Sequence, residues 1–356
     1  MSTPTSVCFV AGRSGGHLLP ALTLAQQLHV QGITTHLITT NTALDHRITK
    51  EASWIDQHKA LSVNNISKNP LKLLWFVAQC IVAGSKSFLF LRKHKVQKVV
   101  TTGGYIALPA CWAAWVQRIP IEVYELNVVP GKATKFLARF AHKVYVCFEQ
   151  TKKYFSPNTC QYAPYPIRFA KPVSADQAQA ITELKFSHAK KTVFINGGSQ
   201  GSLFLNHMIK EWIELNPHIH ALIQIIHQAG SADQVASLKQ LYQLHEISAH
   251  VFDYSDAIST YYNAADIIIC RAGAGSLFEA LHYEKTCIVI PLEIKSTCHQ
   301  KDNALAMMHM YPALFSVLTQ AELNKNNTLF FSAINKRIHT QPKAAAQFLQ
   351  FGSSLS

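Results

Sequence analysis

The chain has 356 residues, of which 48% are hydrophobic and 15% are charged, and its formal net charge is +13. This length predicts two domains, and this composition excludes extensive disorder. The charge favours an acidic partner, and because no basic tract carries interleaved aromatic residues, no nucleic acid is expected and an anionic membrane or a phosphorylated ligand is favoured.

Cysteine usage and the apolar stretches indicate the compartment. The eight cysteines are scattered, with no C-x-x-C pair, which predicts reduced thiols and a cytoplasmic location. No basic segment precedes the first apolar run, so no signal peptide is expected. Residues 71–91 approach the length of a membrane span, but a central lysine costs about 3 kcal/mol on insertion scales. Lys86 therefore favours a buried or membrane-surface helix over a span.

The first half alternates β-branched runs with helical patterns, which predicts a parallel α/β sheet. Its strands are expected at 6–11, 33–39, 98–102, 121–125 and 144–148. The first strand runs into a glycine-rich turn that contains His17, but its spacing does not match the dinucleotide fingerprint G-x-G-x-x-G. His17 is a candidate general base or anion contact, since an unperturbed imidazole titrates near pH 6.5.

Two further strands of this half end in candidate ligand contacts. Residues 98–102 lead into Gly103, Gly104 and Tyr105, and residues 121–125 deliver Glu125 and Asn127 to a loop. Ligands bind at the carboxyl ends of strands in open α/β sheets. Glu125 is equally consistent with a capping or surface acid. The basic stretch 132–143 predicts an amphipathic helix, either on anionic lipid or with a solvated face.

The second half repeats the alternation after a proline-dense linker at 162–172. Its strands are expected at 193–196, 223–228, 250–254, 267–269, 287–292 and 314–318, with a last helix at 342–351. A third glycine turn follows the strand at 193–196. We therefore divide the chain into a domain at 1–164 and a second domain at 165–340.

Residues 267–300 contain the clearest candidate phosphate site. A triple-isoleucine strand ends in the small residues 272–276, which open a helix. A helix N-terminus carries about half a positive charge and suits a diphosphate, whose charge Arg168 or Arg271 would also meet. Glu279 could accept sugar hydroxyls, although an ordinary strand-to-helix turn is the alternative. Together the patterns predict an α/β fold of two doubly wound, Rossmann-like parallel-sheet domains facing a cleft, suited to a transferase or a dehydrogenase.

Seven ordered motifs carry a family resemblance. They are AGRSGGHLLPAL, TTGGYIALPA, YELNVVPGKATKFLARFA, PYPIR, GGSQGSLFLN, CRAGAGSLFEAL and HQKDNA. With these motifs the chain resembles the bacterial glycosyltransferases that add N-acetylglucosamine to lipid I, undecaprenyl-pyrophosphoryl-muramoyl pentapeptide, and so make lipid II for peptidoglycan. The resemblance implies a glycosyltransferase B fold. The second domain would hold UDP-N-acetylglucosamine, the first would hold lipid I, and a helix at 341–356 would pack back on the first.

The resemblance also implies site residues. His17, Tyr105 and Glu125 would face the acceptor, and either His17 or Glu125 would be the catalytic base. The donor contacts would be Ser14, Gly15, Gly16, Asn127, Arg168, Ser199, Ser255, Ala274, Gly275, Ser276, Leu277, Phe278, Glu279, Gln300 and Asn303. Among these, Arg168 and Ser199 would meet the diphosphate, Ser255 the uracil, Glu279 the ribose, and Gln300 and Asn303 the sugar hydroxyls.

The implied reaction is inverting: the muramoyl 4-hydroxyl attacks the anomeric carbon while UDP departs. No cofactor and no bound metal are expected, since no Asp-x-Asp motif occurs. The enzyme would lie peripherally on the cytoplasmic leaflet of the bacterial inner membrane. The sequence departs from the family pattern at Arg13, Ser14, Thr101, Tyr124 and Leu126. These departures, mostly on the acceptor side, leave two alternatives open: a related enzyme with another lipid acceptor, or a non-catalytic nucleotide- or lipid-binding homologue.

Overall fold

The computed structural model describes residues 4–64, 69–198, 201–293 and 299–340. The strands are β1 (Ser6–Val10), β2 (Thr34–Thr40), β3 (Gln57–Leu61), β4 (Lys98–Thr101), β5 (Ile121–Glu125), β6 (Lys143–Val146), β7 (Cys160–Tyr162), β8 (Lys191–Asn196), β9 (Ile223–Gln228), β10 (Ala249–Phe252), β11 (Ile267–Cys270), β12 (Thr286–Val289) and β13 (Phe315–Val317). The predicted helix at 342–351, and with it the segment 341–356, lies outside the described residues.

Helices alternate with these strands along the chain. The α-helices are α1 (Gly15–Val30), α2 (Ala43–Thr49), α3 (Pro70–Lys93), α4 (Ala107–Val116), α5 (Lys132–Leu137), α6 (Ser174–Glu183), α7 (Leu203–Leu215), α8 (Ala232–Leu244), α9 (Ile258–Ala264), α10 (Ala274–His282), α11 (His299–Met310), α12 (Gln320–Lys325) and α13 (Thr328–His339). Two short 3-10 helices lie at Glu149–Tyr154 and Pro217–Leu222.

The strands form two sheets in which all neighbours are parallel. The first sheet has the order β3-β2-β1-β4-β5-β6-β7, and the second has the order β10-β9-β8-β11-β12-β13. Strand order reverses between β1 and β4 in one sheet and between β8 and β11 in the other, and open α/β sheets bind ligands at such points. The predicted fold of two doubly wound parallel sheets is confirmed.

Side chains of β1 show how the first sheet is buried on both faces. Cys8 and Val10 belong to the core that packs against α3 and α4, while Val7 and Phe9 belong to the core beneath α1 and α2. Successive side chains of a strand point to opposite faces, so a strand covered on both faces reads as an unbroken apolar run. The second sheet has its own core around Trp212, whose side chain is fully buried.

The chain separates into two compact units. The first comprises the described residues of Met1–Ala170, Ala272–Glu279 and Ile294–His309, and the second comprises those of Lys171–Arg271, Ala280–Glu293 and Met310–Ser356. The first unit thus contains the whole first sheet, the first six residues of α10 and nearly all of α11. The second unit contains the second sheet.

Helix α3 lies on the first sheet with most of its surface uncovered. Phe76, Ala83 and Leu91 are buried in the core beneath it. Over Leu73–Lys93 the mean hydropathy of its most apolar window is 1.6, and only 28% of that window is buried. By length and composition alone this helix could cross a membrane, and its buried side chains pack on the first sheet.

The seven cysteines in the described part of the chain are free thiols. Six are buried in the two units, and Cys80 on α3 is half-buried. Burial raises the pKa of Cys80 above the ordinary value of a thiol. A buried free thiol behaves as a small apolar side chain, so these cysteines serve as packing residues.

Candidate functional site

The turn between β1 and α1 is held closed by a buried carboxylate. Asp45, which is fully buried at the start of α2, accepts the main-chain N–H of Arg13 at 2.8 and 3.0 Å and the hydroxyl of Thr40. A Cβ on Gly12 would lie 2.8 Å from the nitrogen of Thr40, so only glycine fits there. The chain then enters α1 at Ser14, whose side chain makes no capping bond to the helix. The turn therefore presents the first N–H groups of α1.

The imidazole of His17 is fixed by the neighbouring turn after β4. Its Nδ1 lies 2.8 Å from the main-chain oxygen of Thr102, and the Thr102 hydroxyl donates to the main-chain oxygen of His17 at 2.8 Å. Because a carbonyl only accepts, we assign the imidazole proton to Nδ1. A neutral His17 therefore has its lone pair on Nε2, as a general base requires.

Glycines after β4 make room for this imidazole. Gly103 and Gly104 have φ angles of +102° and +86°, which favour glycine. A Cβ on Gly103 would lie 3.5 Å from Cε1 of His17, and one on Gly104 would lie 3.5 Å from the main-chain oxygen of Gly12. The two turns at the switch point of the first sheet therefore touch each other.

Glu125, the second candidate base, is committed to the loop that follows it. Its Oε1 accepts from the main-chain nitrogen of Asn127 at 3.0 Å and from the Asn127 side chain at 3.1 Å. Its Oε2 accepts from the nitrogen of Gly131 at 3.1 Å, and only 3% of the residue is exposed. Both carboxylate oxygens thus shape the loop after β5.

Asn303 on α11 connects three segments of the first unit. Its Oδ1 accepts from the nitrogen of Val128 at 2.9 Å, and its Nδ2 donates to Oδ1 of Asn127 at 3.0 Å and to the main-chain oxygen of Ala272 at 3.3 Å. The residue is fully buried. The side chain of Asn127 is thereby held between Asn303 and Glu125.

The first turns of α10 pack against the segment that contains Arg168. The rings of Phe278 and Tyr165 stack at 4.7 Å, and Nε of Arg168 lies 3.7 Å from Oε1 of Glu279. A Cβ on Gly275 would lie 3.3 Å from the Tyr165 hydroxyl, so this helix turn has room for the phenol because glycine stands there. Burial, followed by the Glu279 charge, raises the pKa of Tyr165 well above its usual value. Tyr165 therefore stays a neutral phenol.

In the second unit, Arg271 braces the turn that follows β8. Its guanidinium donates to Oγ of Ser202 at 2.7 and 3.0 Å, to the main-chain oxygen of Ile290 at 3.1 Å and to Gln320 at 3.1 Å. Burial lowers the pKa of Arg271 to about 10, so the group is a cation at neutral pH. Ser202 also caps α7 by accepting from the nitrogen of Leu205. Arg271 thus acts on the glycine turn through Ser202.

Most predicted site residues fall in the first unit. These are Ser14, Gly15, Gly16, His17, Tyr105, Glu125, Asn127, Arg168, Ala274, Gly275, Ser276, Leu277, Phe278, Glu279, Gln300 and Asn303. Ser255 lies in the second unit, where its Oγ is 2.8 Å from the Tyr261 hydroxyl. Ser199 is outside the described residues. In the described ranges no group of three or more His, Cys, Asp or Glu side chains could hold a metal ion.

Three positions of the site were not predicted. Thr102 orients His17, Asp45 closes the first turn, and Tyr165 packs on α10. Thr102 directly precedes two glycines at a strand end, which is a usable signal. Asp45 and Tyr165 carry no such signal, because their roles depend on segments distant in the sequence.

Gln300 and His299 form the first turn of α11. Burial, followed by the charge of His17, lowers the pKa of His299, while Asp302 opposes the shift. Burial therefore favours the neutral imidazole of His299, the residue that directly precedes the predicted sugar contact Gln300.

Comparison with known proteins identifies the family. The glycosyltransferase family 28 N-terminal domain matches residues 7–146, and the family 28 C-terminal domain matches residues 192–346. A Protochlamydia amoebophila (strain UWE25) protein named UDP-N-acetylglucosamine–N-acetylmuramyl-(pentapeptide) pyrophosphoryl-undecaprenol N-acetylglucosamine transferase is 32% identical over 83% of this chain and 78% of that protein. The like-named protein of Prosthecochloris aestuarii (strain DSM 271 / SK 413) is 28% identical over 92% of this chain and 90% of that protein.

A solved structure shares the fold. The crystal structure of Acinetobacter baumannii MurG matches with a TM-score of 0.67 at 24% identity, over 96% of this chain and 97% of that one. The sequence similarity extends through both halves of the chain. The chain belongs to the family of UDP-N-acetylglucosamine–N-acetylmuramyl-(pentapeptide) pyrophosphoryl-undecaprenol N-acetylglucosamine transferases.

Proposed function

We propose that the chain transfers N-acetylglucosamine from UDP-N-acetylglucosamine to the 4-hydroxyl of the muramoyl unit of lipid I, making lipid II for peptidoglycan synthesis. Relatives named for this transfer match more than four fifths of the chain. The structural observation that supports it best is His17, whose Nδ1 is held 2.8 Å from the Thr102 carbonyl. That contact prepares a base at the turn where the acceptor hydroxyl must be deprotonated.

His17 acts as the general base in this mechanism. Its Nε2 takes the proton of the muramoyl 4-hydroxyl as that oxygen bonds to the anomeric carbon of the donor sugar. The bond between that carbon and the diphosphate oxygen breaks on the opposite side, which inverts the configuration and releases UDP. Glu125 is the weaker candidate because its two oxygens already accept three hydrogen bonds. Its role is to shape the loop that carries Asn127.

The donor diphosphate is held at the start of α10. The first N–H groups of this helix carry its partial positive charge, and Arg168 adds a full one. Nε of Arg168 and Oε1 of Glu279 lie 3.7 Å apart. Donor binding replaces this contact: Arg168 turns to the diphosphate and Glu279 to the ribose hydroxyls. Residues Ala274–Phe278, which lie between these two contacts, bind the diphosphate.

The remaining donor contacts divide into direct and indirect roles. Gln300 binds sugar hydroxyls, and Asn127 and the turn Ser14–Gly16 approach the donor from the first sheet. Asn303 is fully buried, with hydrogen bonds on both ends of its amide, so it acts through Asn127 instead of touching the sugar. Tyr105 contacts the acceptor. The proposed contacts of Ser199 and Ser255 with diphosphate and uracil remain predictions.

Three of the departures from the family pattern are packing positions. The ring of Tyr124 stacks on Tyr145 at 4.6 Å, and Leu126 is 1% exposed. Thr101 is fully buried and its hydroxyl donates to the main-chain oxygen of Val10. Substitutions that fill a core do not change the chemistry of an acceptor site. They therefore give no support to a different lipid acceptor.

The first unit presents an exposed apolar surface suited to a membrane. We call it the apolar face; it comprises Leu73, Leu74, Trp75, Val77, Ile81, Val82 and Leu89 of α3, Trp112, Trp115 and Val116 of α4, and Phe136 and Phe140 in and after α5. Exposed basic residues on the same helices and their ends are Lys86, Arg92, Lys93, Arg118, Lys132, Lys135 and Arg139. Apolar patches of this kind mark interaction sites.

We propose that the enzyme binds the cytoplasmic leaflet of the inner membrane as a peripheral protein through the apolar face. The apolar side chains enter the interfacial region, and each basic residue near anionic lipid contributes about 1 kcal/mol. Lipid I is embedded in the membrane through its undecaprenyl chain, so this location brings the enzyme to its acceptor.

Trp75→Glu should reduce binding to vesicles that contain anionic phospholipid by about tenfold or more. Trp75 is 62% exposed, and burying a large apolar side chain contributes about 1.5–3 kcal/mol, which the charged replacement forgoes. Leu244→Glu is the matched control, because Leu244 is 76% exposed on α8 in the second unit. Co-sedimentation with vesicles measures both. Equal losses in the two variants would contradict the proposed docking surface.

Release of UDP from UDP-N-acetylglucosamine, measured with and without a soluble lipid I analogue, tests the function. We expect release that depends on the acceptor, together with a disaccharide product detected by mass spectrometry. Tight UDP binding without acceptor-dependent release would instead identify a non-catalytic homologue. Release with a different glycolipid but not with lipid I would identify another acceptor.

A further inference from the structure

Arg13 has an unusual backbone for a residue with a side chain. Its φ angle is +71°, in the left-handed region that glycine adopts readily and other residues adopt at a cost. The conformation is imposed by Asp45, which holds the Arg13 main-chain N–H in a two-oxygen contact. The family pattern has glycine at this position. The chain therefore has a long cationic side chain at a position whose backbone conformation favours glycine.

The guanidinium of Arg13 is anchored but not neutralised. Its Nη1 donates to the main-chain oxygen of Val63 at 3.3 Å, and the residue is exposed. In the described part of the chain no carboxylate lies within ion-pair distance of it. Val63 lies in the segment that leads from β3 to α3. A fixed cation with unused N–H donors thus stands beside the connection to the apolar face.

Contacts on the buried side of α3, the helix whose exposed side belongs to the apolar face, lead to the turn that carries Arg13 and His17. The ring of Phe76 on α3 lies 6.3 Å from that of Tyr105, edge to face. Tyr105 follows Gly104, where an added Cβ would lie 3.5 Å from the main-chain oxygen of Gly12. Helix α3, Tyr105 and the glycine turn are therefore neighbours in series within the first unit.

The acceptor has three chemical parts in a fixed order: an undecaprenyl chain, a diphosphate and the muramoyl sugar. With the chain at the apolar face and the sugar hydroxyl at His17, the diphosphate must lie between them. We propose that the guanidinium of Arg13 binds the acceptor's diphosphate and is a specificity-determining residue of this chain. A planar guanidinium matches phosphate oxygens in a two-bond contact, which explains why the strained arginine is kept. This inference rests on the proposed function.

Two substitutions separate the charge of Arg13 from its backbone. Arg13→Gln keeps a polar side chain and the left-handed strain but removes the cation, whereas Arg13→Gly removes both the cation and the strain. We expect each variant to raise KM for a diphosphate-linked lipid I analogue about tenfold, the effect of a hydrogen bond to a charged group. The KM for UDP-N-acetylglucosamine and kcat should stay within about twofold of wild type. Arg13→Gly should also raise the melting temperature, because glycine adopts this φ without strain.

A phosphate-free acceptor supplies the decisive comparison. With a muramoyl pentapeptide alkyl glycoside, wild type and both variants should show the same KM. Arg47→Gln, which removes a nearby exposed charge on α2, is the matched control and should leave all constants unchanged. A wild-type KM in Arg13→Gly would show that the cation does not bind the acceptor and would overturn the proposal, as would an equal KM increase for the phosphate-free acceptor. An increased KM for the donor would assign Arg13 to the donor diphosphate. Failure of the proposed function would give a different result from failure of the Arg13 proposal, because the wild-type protein itself would then release no UDP.

Discussion

Replacing His17 with alanine should lower kcat about 10²–10⁴-fold, the usual contribution of a general base. The imidazole is pre-oriented because its Nδ1 contacts the Thr102 carbonyl at 2.8 Å, and no other group in that turn offers a base. The hydrogen bond from the Thr102 hydroxyl goes to the main chain of His17, so it survives the substitution and the turn should keep its shape. Steady-state UDP release at saturating donor and acceptor measures the effect.

His29→Ala is the matched control, because His29 lies in the last turn of the same helix. It should leave kcat unchanged. The affinity of His17→Ala for UDP, measured by calorimetry, should equal that of wild type. This result would exclude a general loss of the donor site. Near-normal turnover in His17→Ala would refute the assignment of His17 as the base. Glu125 would then be the candidate base, and Glu125→Gln should be inactive.

Asn303→Asp should be almost as damaging although its side chain is not expected to touch a substrate. The new carboxylate oxygen would face the oxygens of Asn127 and Ala272, which now accept hydrogen bonds from Nδ2 at 3.0 and 3.3 Å. A buried charge, together with one buried and one part-buried acceptor that lose their donor, should lower the free energy of unfolding by about 3 kcal/mol or more. We also expect kcat/KM to fall at least about 100-fold, because Asn127 loses its position.

A double-mutant cycle tests whether Asn303 acts through Asn127. Asn303→Ala and Asn127→Ala should each lower kcat/KM, and the double variant should lose much less than the product of the two losses. Lys301→Ala, an exposed change on the same helix, should behave as wild type. Multiplicative losses in the cycle would instead favour two independent contacts with the donor sugar.

Periodicity predicted the strands of the second sheet and the inner strands of the first sheet, but it missed both edge strands of the first sheet. β3 and β7 were not predicted, since QHKAL is largely exposed at one edge of the first sheet and CQY is only three residues long. An edge strand needs no apolar run, because one side has no neighbour. The predicted helix at 132–143 is wrong beyond Leu137, where the chain turns before β6 begins. Local apolar pattern predicts central elements better than short connections.

Site residues on glycine turns were accessible to sequence reasoning, whereas their roles were not. The carboxyl end of β5 predicted Glu125 and Asn127, and the sequence favoured His17 over Glu125 as the base without deciding between them. Their hydrogen bonds distinguish them. Only Nδ1 of the His17 imidazole is held by a hydrogen bond, whereas both carboxylate oxygens of Glu125 already accept hydrogen bonds. Asn303 lies 176 residues from Asn127 along the chain, and no periodicity encodes that contact.

Helix α3 carries its own attachment point for chemical labelling. Among the cysteines that the structure describes, Cys80 is the one that is not buried, and it is flanked on the helix by Val77 and Ile81 of the apolar face. A maleimide fluorophore would therefore attach at the border of the proposed membrane contact without an engineered cysteine. Because burial raises the pKa of Cys80, the reaction proceeds faster at mildly alkaline pH. The dye's emission would then report arrival at a bilayer directly.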